Sequence, residues 1–400
     1  MRKKRKIDSY LFDDLDILSK FNVVSPGNVA FKPIMKTFTQ LDDKGKKLYT
    51  VSADPIIKLS DIDKFNQVDL SFIPTPISIG IDASTIPSYC LARGNTRYLL
   101  VKPFVICASG EDAQFLLEEF YQKIKYLILI SNKLKPLYNK CKEALYPHHE
   151  LQRNLVNVLK HIKEGKIFAD FIEKLVEIAI DYGYKYSSKS PKSHNLIIFK
   201  DGSILSNSEM KLAQALYKGK FKGLEPFQKL YNSIKKASDN GIPIVGVVKD
   251  SQALLLSKLF TPHGADYQIV RSLAAKQNVM YSYLNPIKKI IEPHKNLEID
   301  NYFAFIEKGI SPLRLEVLPK LKPKSVGNFE DVVQDAIRLI YQNNTVHEFN
   351  KNRYKLPYSI LHADLYSREI VKEKKQLILE ILNTIKRRLS IPMQVKRGFE

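Results

Sequence analysis

The 400-residue sequence has no tryptophan, five methionines and three cysteines. Cys90, Cys107 and Cys141 are odd in number and widely spaced, with no Cys-x-x-Cys or Cys/His pairing, which excludes a disulfide framework and a zinc-finger site. Long apolar runs are missing too. The most apolar stretch, Tyr126-Leu-Ile-Leu-Ile130, falls far short of the ~20 residues a membrane span needs. The basic start Met1-Arg-Lys-Lys-Arg-Lys6 leads into Asp8, Asp13, Asp14 and Asp16 rather than into the apolar core of a signal peptide. These absences point to a soluble protein of the reducing cytoplasm. Negative charge is also scarce: 42 Asp and Glu stand against 63 Lys and Arg, a formal net charge of +21. A surface this basic attracts polyanions, either nucleic acid or an acidic membrane face, through counterion release. A lysine-rich proteome produces the same excess with no such partner. With 44% hydrophobic and 26% charged residues, the chain is neither disordered nor collagen-like. Its length allows two or three domains, or one domain with large insertions.

Residues 1–75 read as a basic N-terminal segment, with a short helix near 10–21 followed by an irregular or strand-bearing region. It ends at the rigid Ile73-Pro-Thr-Pro76. Ile77-Ser-Ile-Gly-Ile-Asp82 reads as a buried strand, and Tyr98 to Cys107 as one or two strands interrupted at Pro103. Apolar residues at spacings of three and four predict a long helix from Glu111 to about Leu134, and a second helix spans roughly 168–182, ending at Gly183. The Ser/Lys-rich Tyr186–Ser193 reads as an exposed insertion. Beyond it come a strand at Leu196–Ser203, a helix over 224–239 stopped by Asn240-Gly241, and a strand at Ile242–Val248. A strand at Pro312–Val317, a helix over 329–342 and a basic C-terminal helix from about 365 complete the pattern. Alternating strands and helices predict an α/β sheet with helices packed on it.

Two strands end in an acidic residue followed by small ones, Ile81-Asp82-Ala-Ser84 and Lys200-Asp201-Gly-Ser203. If the strands are neighbours, the two carboxylates meet, and a cation is needed to offset their repulsion. Ligands made only of oxygen suit Mg²⁺ or Mn²⁺. Each Asp taken alone suits a turn equally well. Glu173 and Glu177 lie one turn apart beside an apolar helix stripe and offer a third ligand, or simply a solvated helix face. In Leu356-Pro-Tyr-Ser-Ile-Leu-His-Ala-Asp364, both His362 and Asp364 have ligand chemistry, and a helix N-terminal cap is the bland alternative. Lys249, with Ser251 close behind it at the end of a strand, could hold a phosphate or be an ordinary surface charge.

The segments Gly80-Ile-Asp-Ala-Ser84, Ile198-Phe-Lys-Asp-Gly-Ser203, Ile244-Val-Gly-Val-Val-Lys-Asp-Ser251, Arg314-Leu-Glu-Val317 and Pro357–Asp364 occur in an order and spacing that resemble the NurA family of nucleases. Together they span residues 77 to about 375. The resemblance implies an RNase H-like mixed β-sheet flanked by helices, with N-terminal and C-terminal helical additions. Residues 1–75 lie outside these motifs, and the expected boundaries are a basic N-terminal segment 1–75, a nuclease domain 76–375, and a basic C-terminal helix and tail 376–400. The resemblance further implies a metal-dependent DNA nuclease using Mn²⁺ or Mg²⁺, with two ions. Such an enzyme would be a homodimer, working 5′ to 3′ at DNA ends with a HerA-type hexameric translocase in end resection. Asp82 and Asp201 match the family's strand aspartates, and Glu173, with Glu177 as fallback, takes the helix glutamate. Asp364 matches the late ligand, with His362 as a rival; Lys249, Ser251 and Arg314 are expected to face nucleic acid. The family's common Gly after the first Asp is Ala83 here, which keeps a small side chain.

Three other readings remain open at this stage. One is a different RNase H-like nuclease, such as a resolvase or ribonuclease. Another is a DNA-binding protein that keeps the fold without cleavage. The third is a membrane-surface protein using the basic C-terminal helix (Lys372, Lys374, Lys375, Lys386, Arg387, Arg388), although Glu369, Glu373 and Glu380 oppose it.

Overall fold

The computed structural model describes residues 32–33, 38–41, 47–50, 55–58, 63–71, 75–85, 89–93, 96–109, 123–130, 165, 168–187, 195–205, 225–249, 255–257, 259–261, 264–291, 294–318, 329–349, 352–369, 380 and 394–397. The helix expected near 10–21 and Ser251 lie outside them. The N-terminal strands are β1 (Lys32–Pro33), β2 (Phe38–Leu41), β3 (Lys47–Thr50), β4 (Pro55–Lys58) and β5 (Phe65–Gln67). They are followed by β6 (Ile77–Thr85), β7 (Tyr89–Arg93), β8 (Thr96–Ser109) and β9 (Lys123–Ile130). Next come helix α1 (168–181), β10 (Leu196–Asp201), α2 (Glu225–Asp239), β11 (Ile244–Val248), β12 (Phe260–Thr261) and α3 (Asp266–Gln277). The remainder is β13 (Ser282–Leu284), β14 (Ile287–Ile291), β15 (His294–Phe305), β16 (Leu313–Val317), α4 (Phe329–Gln342), β17 (Val346–Phe349), β18 (Asn352–Lys355), α5 (358–369) and β19 (Gln394–Arg397).

The mixed sheet runs β8-β6-β10-β11-β16-β15-β14 through its centre. β10 pairs in parallel with both β6 and β11, while β8 and β16 flank this trio antiparallel. Parallel strands are buried on both faces, and Leu196, Ile197, Ile198 and Phe199 are accordingly fully buried in one unbroken apolar run. A parallel pair needs a long crossover, which α2 supplies between β10 and β11. The expected α/β, RNase H-like mixed sheet flanked by helices is therefore what the strand order defines. Strands from both chain ends join it: β4 pairs with β14, β5 with β13, and β19 with β7.

Side chains alternate across the sheet, and each face has its own cover. Gly80, Asp82, Phe199, Asp201, Val245 and Val247 share the face on which α5 packs. The even residues Lys200, Gly246, Arg314 and Glu316 share the other. There the Lys200 ammonium lies 5.1 Å from the Phe168 ring centroid of α1, and Ile269, Val270 and Leu273 of α3 pack with Phe303 and Phe305. α2 lies beside α1, joined by ion pairs Lys229–Asp170 and Lys236–Glu177.

Two expectations are corrected. The helix predicted from Glu111 to Leu134 is, over Lys123–Ile130, a strand paired with β8. Its Ile-Lys-Tyr-Leu-Ile-Leu-Ile run fits either period, and the open edge of β8 decides in favour of the strand. Pro103 does not interrupt its strand either: β8 runs continuously from Thr96 to Ser109, with Pro103 opposite Tyr126.

α5 approaches the sheet at Gly80, where a Cβ would sit 2.2 Å from Ser359 O and 2.5 Å from Ile360 N. Both neighbours are backbone atoms, so a methyl group forces the helix away. Gly80→Ala is expected to lower stability by about 3 kcal/mol in urea denaturation.

On the opposite face Asp266 is fully buried and accepts the N–H groups of Leu256 (2.8 Å) and Leu255 (3.2 Å). Burial dominates over these hydrogen bonds and pushes its carboxyl up to about 7. Between the unfolded value near 4 and the folded value near 7, the folded protein holds the extra proton. Stability therefore falls as pH rises through that window, by a few kcal/mol at most. Asp266→Asn should flatten this decline in urea denaturation curves taken at pH 4.5 and pH 7.5.

Candidate active site

The register of β6 against β10 sets Ile81 opposite Lys200, so one step further along both strands lie Asp82 and Asp201. Paired strands are ~4.8 Å apart and registered partners share a face, which makes the two aspartates neighbours. Asp82 is 7% exposed. The repulsion is met locally by Lys249, just past the end of β11, whose Nζ lies 3.0 Å from Asp201 Oδ1. α5 adds a third carboxylate from above. The Ser367 hydroxyl lies 3.4 Å from Asp82 Oδ2, and Asp364, one turn earlier, is buried.

Arg368 donates its Nε–H to Asp364 Oδ1 at 2.9 Å, and its Nη2 forms an ion pair with Oδ2 at 2.8 Å. His347, on the β17–β18 hairpin, brings Nε2 to 3.7 Å from Asp364 Oδ2. Burial lowers the pKa of this imidazole, Asp364 and Asp201 work against that shift, and Lys249 and Arg368 reinforce it. Three buried atoms of the cluster, Asp201 Oδ1, Asp364 Oδ2 and His347 Nε2, meet charged neighbours but make no hydrogen bond.

Hard carboxylate oxygens with an imidazole beside them suit Mg²⁺ or Mn²⁺ in chemistry, and the buried lone pairs without hydrogen bonds fit that use. Among the described residues, however, no three His, Cys, Asp or Glu side chains converge closely enough to hold an ion. The carboxylate charge is met by Lys249 and Arg368.

Several expected residues fall elsewhere. Glu173 lies in the seam between α1 and α2, where it accepts the Ser233 hydroxyl at 2.8 Å, and Glu177 pairs with Lys236 in the same seam. That helix layer covers the face opposite the aspartates, which removes both glutamates from the site. His362 is exposed on α5 and stacks on Tyr358, with ring centroids 5.6 Å apart. Arg314 is not a surface residue: it is buried against Glu316 at 2.9 Å on the far face. Lys249 is at the site, with its ammonium on Asp201 rather than in open solvent. Sequence reasoning missed His347, whose short Val-His-Glu-Phe stretch carries no spacing signal. It also missed Arg368, although that residue stands four after Asp364 and so one helical turn away.

The fold and site together define an α/β protein with three aspartates gathered on one face of a mixed sheet, where the parallel pairing of β6 and β10 ends. No family model matches the chain, and no curated protein matches it. Among solved structures it is similar to the NurA nuclease from Sulfolobus solfataricus, at 14% identity over 80% of this chain and 90% of that one, with a TM-score of 0.38. It is also similar to a second NurA structure, at 10% identity over 74% of this chain and 85% of that one, with a TM-score of 0.36. Likeness at these levels adds no functional weight, and the architecture stands on its own strand order and register.

The two cations of the site should differ in their effect on stability. Lys249 is 9% exposed, and Lys249→Met leaves Asp201 beside Asp82 uncompensated; a loss of about 3 kcal/mol is expected. Arg368 is half exposed, and Arg368→Ala should cost under about 1 kcal/mol. Urea denaturation of the two variants checks the order.

Proposed function

We propose that the chain is a nuclease that hydrolyses the phosphodiester bonds of DNA with the help of divalent ions, Mn²⁺ or Mg²⁺. The observation that carries this reading is the in-register parallel pairing that brings Asp82 and Asp201 together under Asp364. Asp82 and Asp201 would hold the ions, with Asp364 and His347 at the margin of the same cluster. Bound there, the ions would supply a Lewis acid for the phosphate and an activated water. Lys249 and Arg368 lie beside the carboxylates and carry the charge to orient a phosphate group. The net charge of +21 supports binding along a nucleic-acid backbone without reading its sequence.

The family resemblance extends this reading. It suggests a homodimer that resects DNA ends 5′ to 3′ together with a HerA-type translocase, with single-strand endonuclease activity as well. A second reading is favoured by the cations already seated on Asp201 and Asp364: a DNA-binding protein that keeps the fold without cleaving.

Digestion of end-labelled linear DNA with Mn²⁺, Mg²⁺ or EDTA separates the two. Metal-dependent shortening is expected from the wild type, reduced at least about a hundredfold by Asp82→Ala or Asp201→Ala, with DNA binding retained. Glu173→Gln and His362→Ala should cleave like the wild type. DNA binding without cleavage under any metal, with the HerA-type partner added, would favour the second reading.

A further inference from the structure

Asp201 ends β10, and the chain beyond it bends onto the other face of the sheet. Gly202, at φ +79°, makes the bend. Residues 202–205 then lie across β11 at Gly246, where a Cβ would come within 2.9 Å of Ile204 Cγ1 and 3.1 Å of both Gly202 O and Ile204 N. Two side chains of opposite charge grip this turn. The Lys200 ammonium donates to the carbonyls of Asp201 (3.1 Å) and Ser203 (2.9 Å). Glu316 stands opposite Gly246 on β16 and is fully buried. Its Oε2 accepts both the Ser203 hydroxyl and the Ile204 N–H, each at 2.7 Å, while Oε1 pairs with Arg314 Nη2 at 2.9 Å.

A buried ion pair of this kind seldom adds stability over apolar side chains of similar volume, because desolvation offsets the attraction. It does supply direction. An apolar residue at 316 would fill the space, leave the Ile204 N–H without its acceptor, and leave the Ser203 hydroxyl only the Leu205 carbonyl at 2.9 Å. The Gly202 N–H would stay on the Val247 carbonyl at 2.8 Å, but Lys200 alone would then hold the turn beyond it, and the Asp201 carboxylate would be kept less firmly on Lys249.

We propose that Glu316 is a positioning residue of the site: from the far face of the sheet it holds the 203–205 turn against β11 and thereby orients the Asp201 carboxylate, which strand register places beside Asp82, toward Lys249. The metal arm of the test rests on the functional reading above; the stability arm does not.

The stability arm is a double-mutant cycle of Glu316→Gln and Lys249→Met in urea, without metal. Glutamine keeps the size, but its amide nitrogen must face either Arg314 or the two donors of the turn. If Glu316 positions Asp201, the cost of Lys249→Met in the Glu316→Gln background falls to about half or less of its wild-type value. Ser203→Ala, which removes one donor and buries nothing new, should move the cycle the same way by a smaller amount. Additive costs would overturn the proposal, because the Asp201–Lys249 pair would then survive without Glu316.

The metal arm is calorimetric titration with Mn²⁺. Glu316→Gln should weaken binding about tenfold, and adding Asp201→Asn to it should weaken binding little further. Unchanged Mn²⁺ affinity in Glu316→Gln would count against the proposal. A wild type that takes up no Mn²⁺ would sink the metal reading and leave the stability cycle to decide the positioning role.

Discussion

The parallel pairing of β6 with β10 sets the terms for the rest of the molecule. Once Ile81 stands opposite Lys200, Asp82 and Asp201 must be neighbours at the next step, and two carboxylates cannot be held so close without compensation. Lys249 meets that need from the adjacent strand, and α5 closes the site from above. The helix can come close enough only because position 80 lacks a side chain, which lets the Ser359–Ile360 backbone rest on the strand. A shift of β10 by one residue would turn Asp201 to the α1 side and Lys200 to the α5 side, so register carries the chemistry as much as residue identity does.

The two faces of the sheet handle charge differently. The face under α5 gathers three carboxylates with a lysine, an arginine and a histidine, and Arg368 remains half exposed there. The opposite face holds a second set, Lys200, Arg314, Glu316 and Asp266, almost wholly out of solvent. A group in the first set is accessible to a polyanion; a group in the second is committed to its neighbours.

Much of this was legible in the sequence. Alternating apolar and small residues predicted β6, and an unbroken apolar run ending in Asp predicted β10; Asp201 closes β10, whereas β6 runs on past Asp82 to Thr85 because it keeps pairing with β8. Gly183 and Gly241 marked helix ends correctly, at φ +75° and +79°. Other features were not legible, for physical reasons. The spacing of Glu173 placed it on a helix surface but not on a particular side of the sheet, since layer assignment depends on the crossover. His362 and Asp364 are two residues apart on a helix and so point in different directions; that one faces the site and the other solvent follows from how α5 is rotated. His347 comes from a hairpin whose docking is purely tertiary, and Lys123–Ile130 took its form from the edge of β8.

The contact between Ser367 and Asp82 joins residues 285 positions apart in the chain. Local helices and the β10–β11 crossover can form early, but this closure must wait until α4, the β17–β18 hairpin and α5 have emerged from the ribosome. Non-local pairings of this kind are slow to form. A nascent or truncated chain ending before α5 would carry Asp82, Asp201 and His347 without Asp364 or Arg368. The full constellation therefore exists only after the whole central fold has assembled, and an unfinished copy of the protein does not carry it.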